Sequence, residues 1–224
     1  MKFKKLVVAT CVMSLSTFSF SSVSTIQVPT TTAIKPSPFY AGLTVGYGTT
    51  TWDGLVGDPD EAFMMAISTP TSVNEGGTIG GAFVGYEMFP SFALEFAYTH
   101  YANARMYFDE YSLVTYNYDG IRTMVTRTNN YSLVGKFIVP VPHVPRMRIF
   151  SSVGPAVTHR QDVVYDHWQL TPAFNFGFDL DVTQHIMVEV GANYTAGTAI
   201  SELDPVKDYI PFLYSGFARV AWRF

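Results

Sequence analysis

The stretch Pro211-Phe-Leu-Tyr-Ser-Gly-Phe-Ala-Arg-Val-Ala-Trp-Arg-Phe224 alternates without a break. On an extended strand Phe212, Tyr214, Gly216, Ala218, Val220, Trp222 and Phe224 share one face, and Ser215, Phe217, Arg219, Ala221 and Arg223 share the other. The first face is apolar, with aromatic residues at both ends. The second carries two arginines.

Seven segments upstream repeat this split. Phe39, Ala41, Leu43, Val45 and Tyr47 alternate with Tyr40, Gly42, Thr44, Gly46 and Gly48. Gly80, Ala82, Val84, Tyr86 and Met88 stand against Gly81, Phe83, Gly85 and Glu87, and Phe92, Leu94, Phe96 and Tyr98 against Ala93, Glu95, Ala97 and Thr99. The fourth segment sets Tyr131 to Val139 against Asn130, Ser132, Val134 and Lys136; the fifth sets Met147 to Val153 against Arg148, Phe150, Ser152 and Gly154. The sixth, Leu170 to Asp181, places Thr171, Ala173, Asn175, Gly177, Asp179 and Asp181 on its polar face. The seventh, Ile186 to Thr195, does the same with Met187, Glu189, Gly191, Asn193 and Thr195. Each segment has about the 9 to 11 residues with which a tilted strand crosses a hydrocarbon layer.

Short and long connections alternate. Turns near Phe89, Val141 and Gln184 are tight, whereas Trp52 to Thr78, Ala102 to Asn129, Thr158 to Gln169 and Ala196 to Ile210 read as long loops. The pattern predicts an all-β fold: an eight-stranded antiparallel up-and-down transmembrane β-barrel, with four long extracellular loops and three short periplasmic turns. A soluble sandwich would have no reason to gather Phe39, Phe92, Phe178, Trp222 and Phe224 into one belt and Tyr47, Tyr98, Tyr131, Tyr194 and Tyr214 into another.

The start of the chain reads as an export signal. Lys2, Lys4 and Lys5 precede an uncharged apolar run from Leu6 to about Phe20 and the small residues Ser21 to Ser24. Residues 1–24 are therefore expected to be a signal peptide, 25–38 a Thr/Pro-rich periplasmic linker, and 39–224 the barrel. The only cysteine, Cys11, falls in the signal, so no disulfide or thiol chemistry is expected of the mature protein. Without the three signal lysines, 11 basic residues face 18 acidic ones. That excess of negative charge argues against nucleic acid as a partner.

The stretches PFYAGLTVGYG at Pro38 to Gly48, GGAFVGYEMFPSFALEFAYTHY at Gly80 to Tyr101 and GFARVAWRF at Gly216 to Phe224 resemble the small eight-stranded bacterial outer-membrane barrels, the OmpA transmembrane domain and OmpX among them. The resemblance implies residence in the outer membrane of a Gram-negative bacterium, with Trp222 and Phe224 as the insertion signal read by the barrel-assembly machinery. OmpA proteins carry a peptidoglycan-binding domain after the barrel; no such segment follows the last strand here, and that function is not carried over.

The inward register collects Glu87, Glu95, Lys136, Arg148, Asp179, Asp181, Glu189, Arg219 and Arg223. An eight-stranded barrel has an interior just wide enough for side chains, so a salt-bridged, filled lumen is expected rather than porin-like flux. A narrow polar path would require those pairs to exchange partners.

No catalytic constellation emerges. The histidines His100, His143, His159, His167 and His185 lack the His-x-Ser pair that lipid A deacylases share, and Asp166-His167 is the nearest approach to an oriented base. The first loop is acidic, with Asp53, Asp58, Asp60, Glu61 and Glu75, but it lacks the alternate ligand spacing of a calcium loop. Asp53, Asp58, Asp60 and Glu61 are weak metal candidates, and no cofactor is expected. The second loop is rich in tyrosine and arginine, residues enriched where proteins meet proteins.

The expected function is non-enzymatic: envelope integrity, and display of loops to lipopolysaccharide, host surfaces or other proteins. A narrow channel for small or hydrophobic solutes, of the OmpW kind, is the alternative, and a lipid A-modifying enzyme a more distant one.

Overall fold

The computed structural model describes residues 37–56, 69–144, 146–197 and 209–224. The expected signal peptide and nearly all of the expected linker lie outside the described residues. Nine strands follow in order: β1 (Phe39–Thr49), β2 (Ser72–Asn74), β3 (Gly77–Phe89), β4 (Phe92–Tyr107), β5 (Thr123–Pro140), β6 (Met147–Gln161), β7 (Asp166–Asp181), β8 (Ile186–Thr195) and β9 (Leu213–Arg223). Apart from β2, a short strand lying on the far end of β4, each pairs antiparallel with its neighbours in sequence.

β1 pairs with both β3 and β9, from Tyr40↔Arg223 to Thr49↔Tyr214 on the latter side, and β4 pairs with β5. The sheet therefore closes on itself as an eight-stranded barrel. Closure removes both edges, so every strand satisfies its backbone groups on two sides.

Alternation sorts the side chains. In β9 every second residue is buried from Leu213 to Arg223, and the residues between them face outward. Leu43, Leu170 and Phe176 are 71, 67 and 66% exposed on the outer wall. The aromatic residues cluster there as expected: Phe92 lies against Phe137 and Phe39 against Tyr86 toward the turn end, with Tyr98 against Tyr131 and Tyr194 against Tyr214 toward the loop end.

Inside, four rings lie across bare backbone. Tyr40, Phe83, Phe150 and Phe217 each cover the glycine opposite in the ladder, namely Gly85, Gly42, Gly177 and Gly191. A Cβ at Gly85 would stand 2.1 Å from the Tyr40 ring. The missing side chain is what lets the ring lie flat against the wall.

Two expected long connections are shorter than the sequence reading has them. Strand runs on to Tyr107 and resumes at Thr123, which leaves the β4–β5 loop at 108–122. The connection expected over Thr158 to Gln169 shrinks to the four residues between β6 and β7. The cause is visible in both flanks. Thr158 and Arg160 continue the inward face, with His159 and Gln161 outside. Asp162 then closes the turn, its Oδ1 accepting from the backbone N–H groups of Val164 and Tyr165 at 2.9 and 2.8 Å. β4 to β7 thus rise well above the ends of β1, β8 and β9 as one wall.

Gly85→Val should overpack the Tyr40 contact and lower stability by about 1–3 kcal/mol, read as a lower urea midpoint in detergent-folded protein. Adding Tyr40→Ala to that variant should recover part of the loss. An unchanged midpoint for Gly85→Val would show that the ring gives way freely.

Candidate functional site

The interior is layered along the barrel axis. At the turn end Arg148 binds Asp179 (2.7 Å) and Glu87 (2.9 Å), while Arg223 binds Glu87 (2.7 Å) and approaches Asp181 at 3.4 Å. Cross-strand register produces the first contact, since Arg148 and Asp179 are ladder partners on β6 and β7.

A second group lies deeper. Arg219 on β9 donates to Glu95 on β4 at 2.5 Å and stands 3.6 Å from Glu189 on β8. Lys136 on β5 is hydrogen-bonded to Glu189 and lies 3.7 Å from Glu95 and 3.8 Å from Asp179. Aromatic faces complete the surroundings: Lys136 sits 4.2 Å above the Phe150 ring, Arg219 4.2 Å above Phe217 and 4.8 Å above Phe83, and the Tyr40 hydroxyl donates to Glu95 at 3.3 Å. All four charged side chains are buried.

The geometry makes Glu95, Lys136, Glu189 and Arg219 a compact quartet in which each cation lies within 4 Å of both carboxylates. Oε2 of Glu189 has no hydrogen-bond donor, and Nη1 of Arg219 lies 3.6 Å from it. A small rotation of the guanidinium would exchange Glu95 for Glu189.

Above the charges comes a neutral polar zone. Asn130 donates to Thr195, Asn175 to Ser152, Asn193 to Asn175, and the Tyr101 hydroxyl to Asn193. At the loop end an apolar lid follows, with Trp52, Ala104, Met106, Phe108, Val114, Met124 and Tyr209 packed together. Arg160 braces it from the wall, donating to Asp162 (2.6 Å) and to the Tyr209 carbonyl (2.7 Å), with its guanidinium 4.6 Å from the Trp52 ring. Thr51, held at φ 49°, is pinned by hydrogen bonds with Phe212 and by the Tyr209 hydroxyl, which donates to its carbonyl. Burial pushes the Tyr209 hydroxyl above the usual phenol range.

The lumen residues read from register (Glu87, Glu95, Lys136, Arg148, Asp179, Glu189 and Arg219) thus converge, together with Asp181 and Arg223. Arg160 and Asp162 escape the sequence reading because Thr158 to Gln169 looks like a loop. Both faces of the strand are polar there, so no apolar alternation marks them in the sequence.

Other candidates are dispersed. Asp53 is exposed on the short 3-10 turn Trp52–Leu55, while Asp58, Asp60 and Glu61 lie outside the described residues. Glu75 accepts from the Trp52 backbone N–H and the Thr50 hydroxyl, which fixes the loop rather than opening it to a ligand. Among the described residues no three His, Cys, Asp or Glu side chains are placed to hold a metal ion. Asp166 does not orient His167. It meets His159 on β6 at 2.8 Å instead, and that ring stacks on Trp168 at 4.1 Å. Adjacent residues on a strand point to opposite faces, which is why the sequence neighbours fail to pair. Trp222 and Phe224 both face outward at the turn end, Trp222 stacked on His185.

No protein-family model and no curated protein matches the chain. Among solved structures it is similar to Pseudomonas aeruginosa outer membrane protein OprG, with 11% identity over 83% of this chain and 96% of that one and a TM-score of 0.49. It is also similar to the N-terminal β-barrel domain of Pseudomonas aeruginosa OprF (12% identity, 84% and 99% of the two chains, TM-score 0.48). A third is outer membrane protein AlkL in lipid bilayers (15%, 90% and 97%, 0.48).

Truncating one buried partner strands the other. Arg219→Leu should cost about 3–5 kcal/mol, whereas Glu95→Leu/Arg219→Leu should cost less than the sum of the two singles, because Lys136 and Glu189 remain as a self-contained pair. Urea unfolding of the folded protein in detergent measures both. Additive losses of a few tenths of a kcal/mol would mean hydrated, uncoupled charges.

Proposed function

We propose that this chain is a non-enzymatic outer-membrane barrel of a Gram-negative bacterium, exported through a signal at residues 1–24, which adds to envelope integrity and presents its loop end to lipopolysaccharide, host surfaces or other proteins. The observation that carries this reading is an inside-out distribution of side chains. Charges are buried and paired in the lumen, while Leu43, Leu170, Phe176, Val220 and their neighbours cover the outer wall. Soluble monomers rarely expose apolar patches larger than a few hundred Å², and closure of the sheet meets the demand that no edge be left unpaired in hydrocarbon. The aromatic clusters at either end of the strands suit the two membrane interfaces.

A filled lumen and a packed lid leave display as the role best supported. At the tip of the β4–β5 hairpin Ser112 caps the one-turn helix Leu113–Asn117, with its hydroxyl accepting from Val114 N–H. Tyr111 and Tyr116, 86 and 84% exposed, project there. Aromatic side chains held on a stiff hairpin lose little freedom on binding a partner. Trp222 and Phe224 are assigned the part of the signal read by the assembly machinery.

One observation favours a second reading. The exchangeable quartet of Glu95, Lys136, Glu189 and Arg219 could open a narrow path for small solutes if Arg219 moved from one carboxylate to the other.

A cysteine at Tyr116 should react with a membrane-impermeant maleimide on intact cells, and one at Ser91 or Thr183 should not. Labelling at Ser91 in unbroken cells would refute the orientation. In planar bilayers the wild-type protein should give no resolved current steps. Steps whose size or ion selectivity changes in Glu189→Gln would replace display with the channel.

A further inference from the structure

Most of this chain's described cations are consumed by carboxylates. Lys136, Arg148, Arg160, Arg219 and Arg223 make ion pairs inside, and Arg122 pairs with Glu110 at the hairpin tip. Among the described residues Arg146 takes part in no ion pair; it lies at the turn end, where it donates to the Val182 carbonyl. Arg105 and Arg127 also have none, and they are exposed side by side. Arg105 is the ladder partner of Val125, two residues from Arg127, so the two residues stand at diagonal positions on the outer face of β4 and β5, next to the irregularity between Tyr101 and Ala104.

Their height on the wall is as informative as their charge. One step below Arg127 the ladder runs His100↔Asn129↔His159↔Trp168, and one step further down Tyr98 pairs with Tyr131. A step of two residues is about 7 Å. The Tyr98, Tyr131 and Trp168 rings form a continuous row of tilted rings, with centroids 5.1 and 5.5 Å apart, of the kind that sits at headgroup level. The arginines emerge above it on the outer face, Arg127 two such steps and Arg105 three from the Tyr98 level. Between arginines and belt lies a polar shelf. Asn129 Oδ1 accepts from the Tyr98 hydroxyl at 3.1 Å and meets His100 Nδ1 at 2.8 Å. Asp166, the nearby carboxylate, is occupied by His159 and by the Gln161 amide at 3.2 Å, and makes no ion pair with Arg127.

We infer that the outer face of β4 to β7 above the aromatic belt binds the phosphorylated sugar headgroup of an outer-leaflet glycolipid, with Arg105 and Arg127 holding the phosphate. Two adjacent like charges repel, and a phosphate between them reverses the sign of that interaction. The guanidinium fork suits phosphate oxygens bidentately. Asn129 and His100, one step below Arg127, and Gln161 opposite it supply hydrogen-bonding groups for a sugar ring, and Trp168 offers it an apolar face. The inference rests on the outer-membrane reading above and adds to it a ligand chemistry and an address.

The test uses the full mature chain folded into phosphatidylcholine vesicles containing diphosphoryl lipid A, then extracted in mild detergent and scored for retained lipid A by mass spectrometry. Co-flotation with vesicles and a heat-modifiable band report insertion separately, so a protein that fails to insert indicts the membrane reading rather than the site. Wild type should retain lipid A, and less of it as salt rises. Arg105→Gln and Arg127→Gln should each weaken retention roughly tenfold, and Arg146→Gln should leave it unchanged. Should the arginine variants fold poorly, wild type decides alone: it should retain dephosphorylated lipid A far less than the diphosphoryl form. Equal retention by inserted variants, equal retention of the dephosphorylated lipid, or displacement by inorganic phosphate at low millimolar concentration would each overturn the headgroup site.

Discussion

The pairing of β1 with β9 is the constraint from which the rest follows. Once those strands share a register from Tyr40↔Arg223 to Thr49↔Tyr214, no edge remains and every second side chain is committed to a narrow lumen. Eight strands leave room for side chains and little else. Charged residues delivered to that space cannot keep a full hydration shell, so each must find a partner in the same layer. The ion pairs are thus a consequence of closure: Arg148 meets Asp179, and Arg219 lies beside Glu189, because the ladder makes them direct cross-strand neighbours. The four rings laid over glycines follow in the same way, for a circumference this small can hold large side chains only where the opposite residue gives up its own.

Period-two alternation makes the barrel legible in the sequence. It separates Glu95 from Phe96 and Lys136 from Phe137 by parity alone, and the structure keeps that parity in the long strands except in β4, where the buried face passes from Tyr101 to Ala104. What parity cannot supply is height. It says that Glu95, Lys136, Glu189 and Arg219 face inward, but their meeting in one layer depends on strand offsets, and those depend on turn geometry and on the irregularity between Tyr101 and Ala104. Polar composition hides strand at Thr158 to Gln169. Histidine, arginine, glutamine and aspartate there suggest a loop, yet they stand on strand that rises past the aromatic belt, where both faces of a sheet can be polar.

The same elevation explains why Asp166 finds His159 and not His167. Sequence adjacency puts two side chains on opposite faces, whereas ladder pairing puts His159 across from Trp168 and diagonal to Asp166 on one face. An imidazole stacked on an indole and hydrogen-bonded to a carboxylate is held rigidly, but it faces outward and away from the lumen. Its geometry serves the wall: the stack ties β6 to β7 at the height where regular pairing would otherwise fray.

Any account of transport must deal with two barriers of different chemistry in series. The lower one is electrostatic and soft: Arg219 lies within 3.6 Å of a second carboxylate, so exchange needs only a rotation and leaves the number of ion pairs unchanged. The upper one is apolar and stiff. Trp52 and Tyr209 pack with their tilted rings 5.0 Å apart, Arg160 braces both, and Thr51 is pinned to Phe212 and Tyr209, so opening the mouth would break several hydrogen bonds and expose buried aromatic surface at once. Rearrangement of the quartet alone therefore moves charge within a closed compartment. A conducting state would require both barriers to yield together, and the contacts around Arg160 make the lid the costlier of the two.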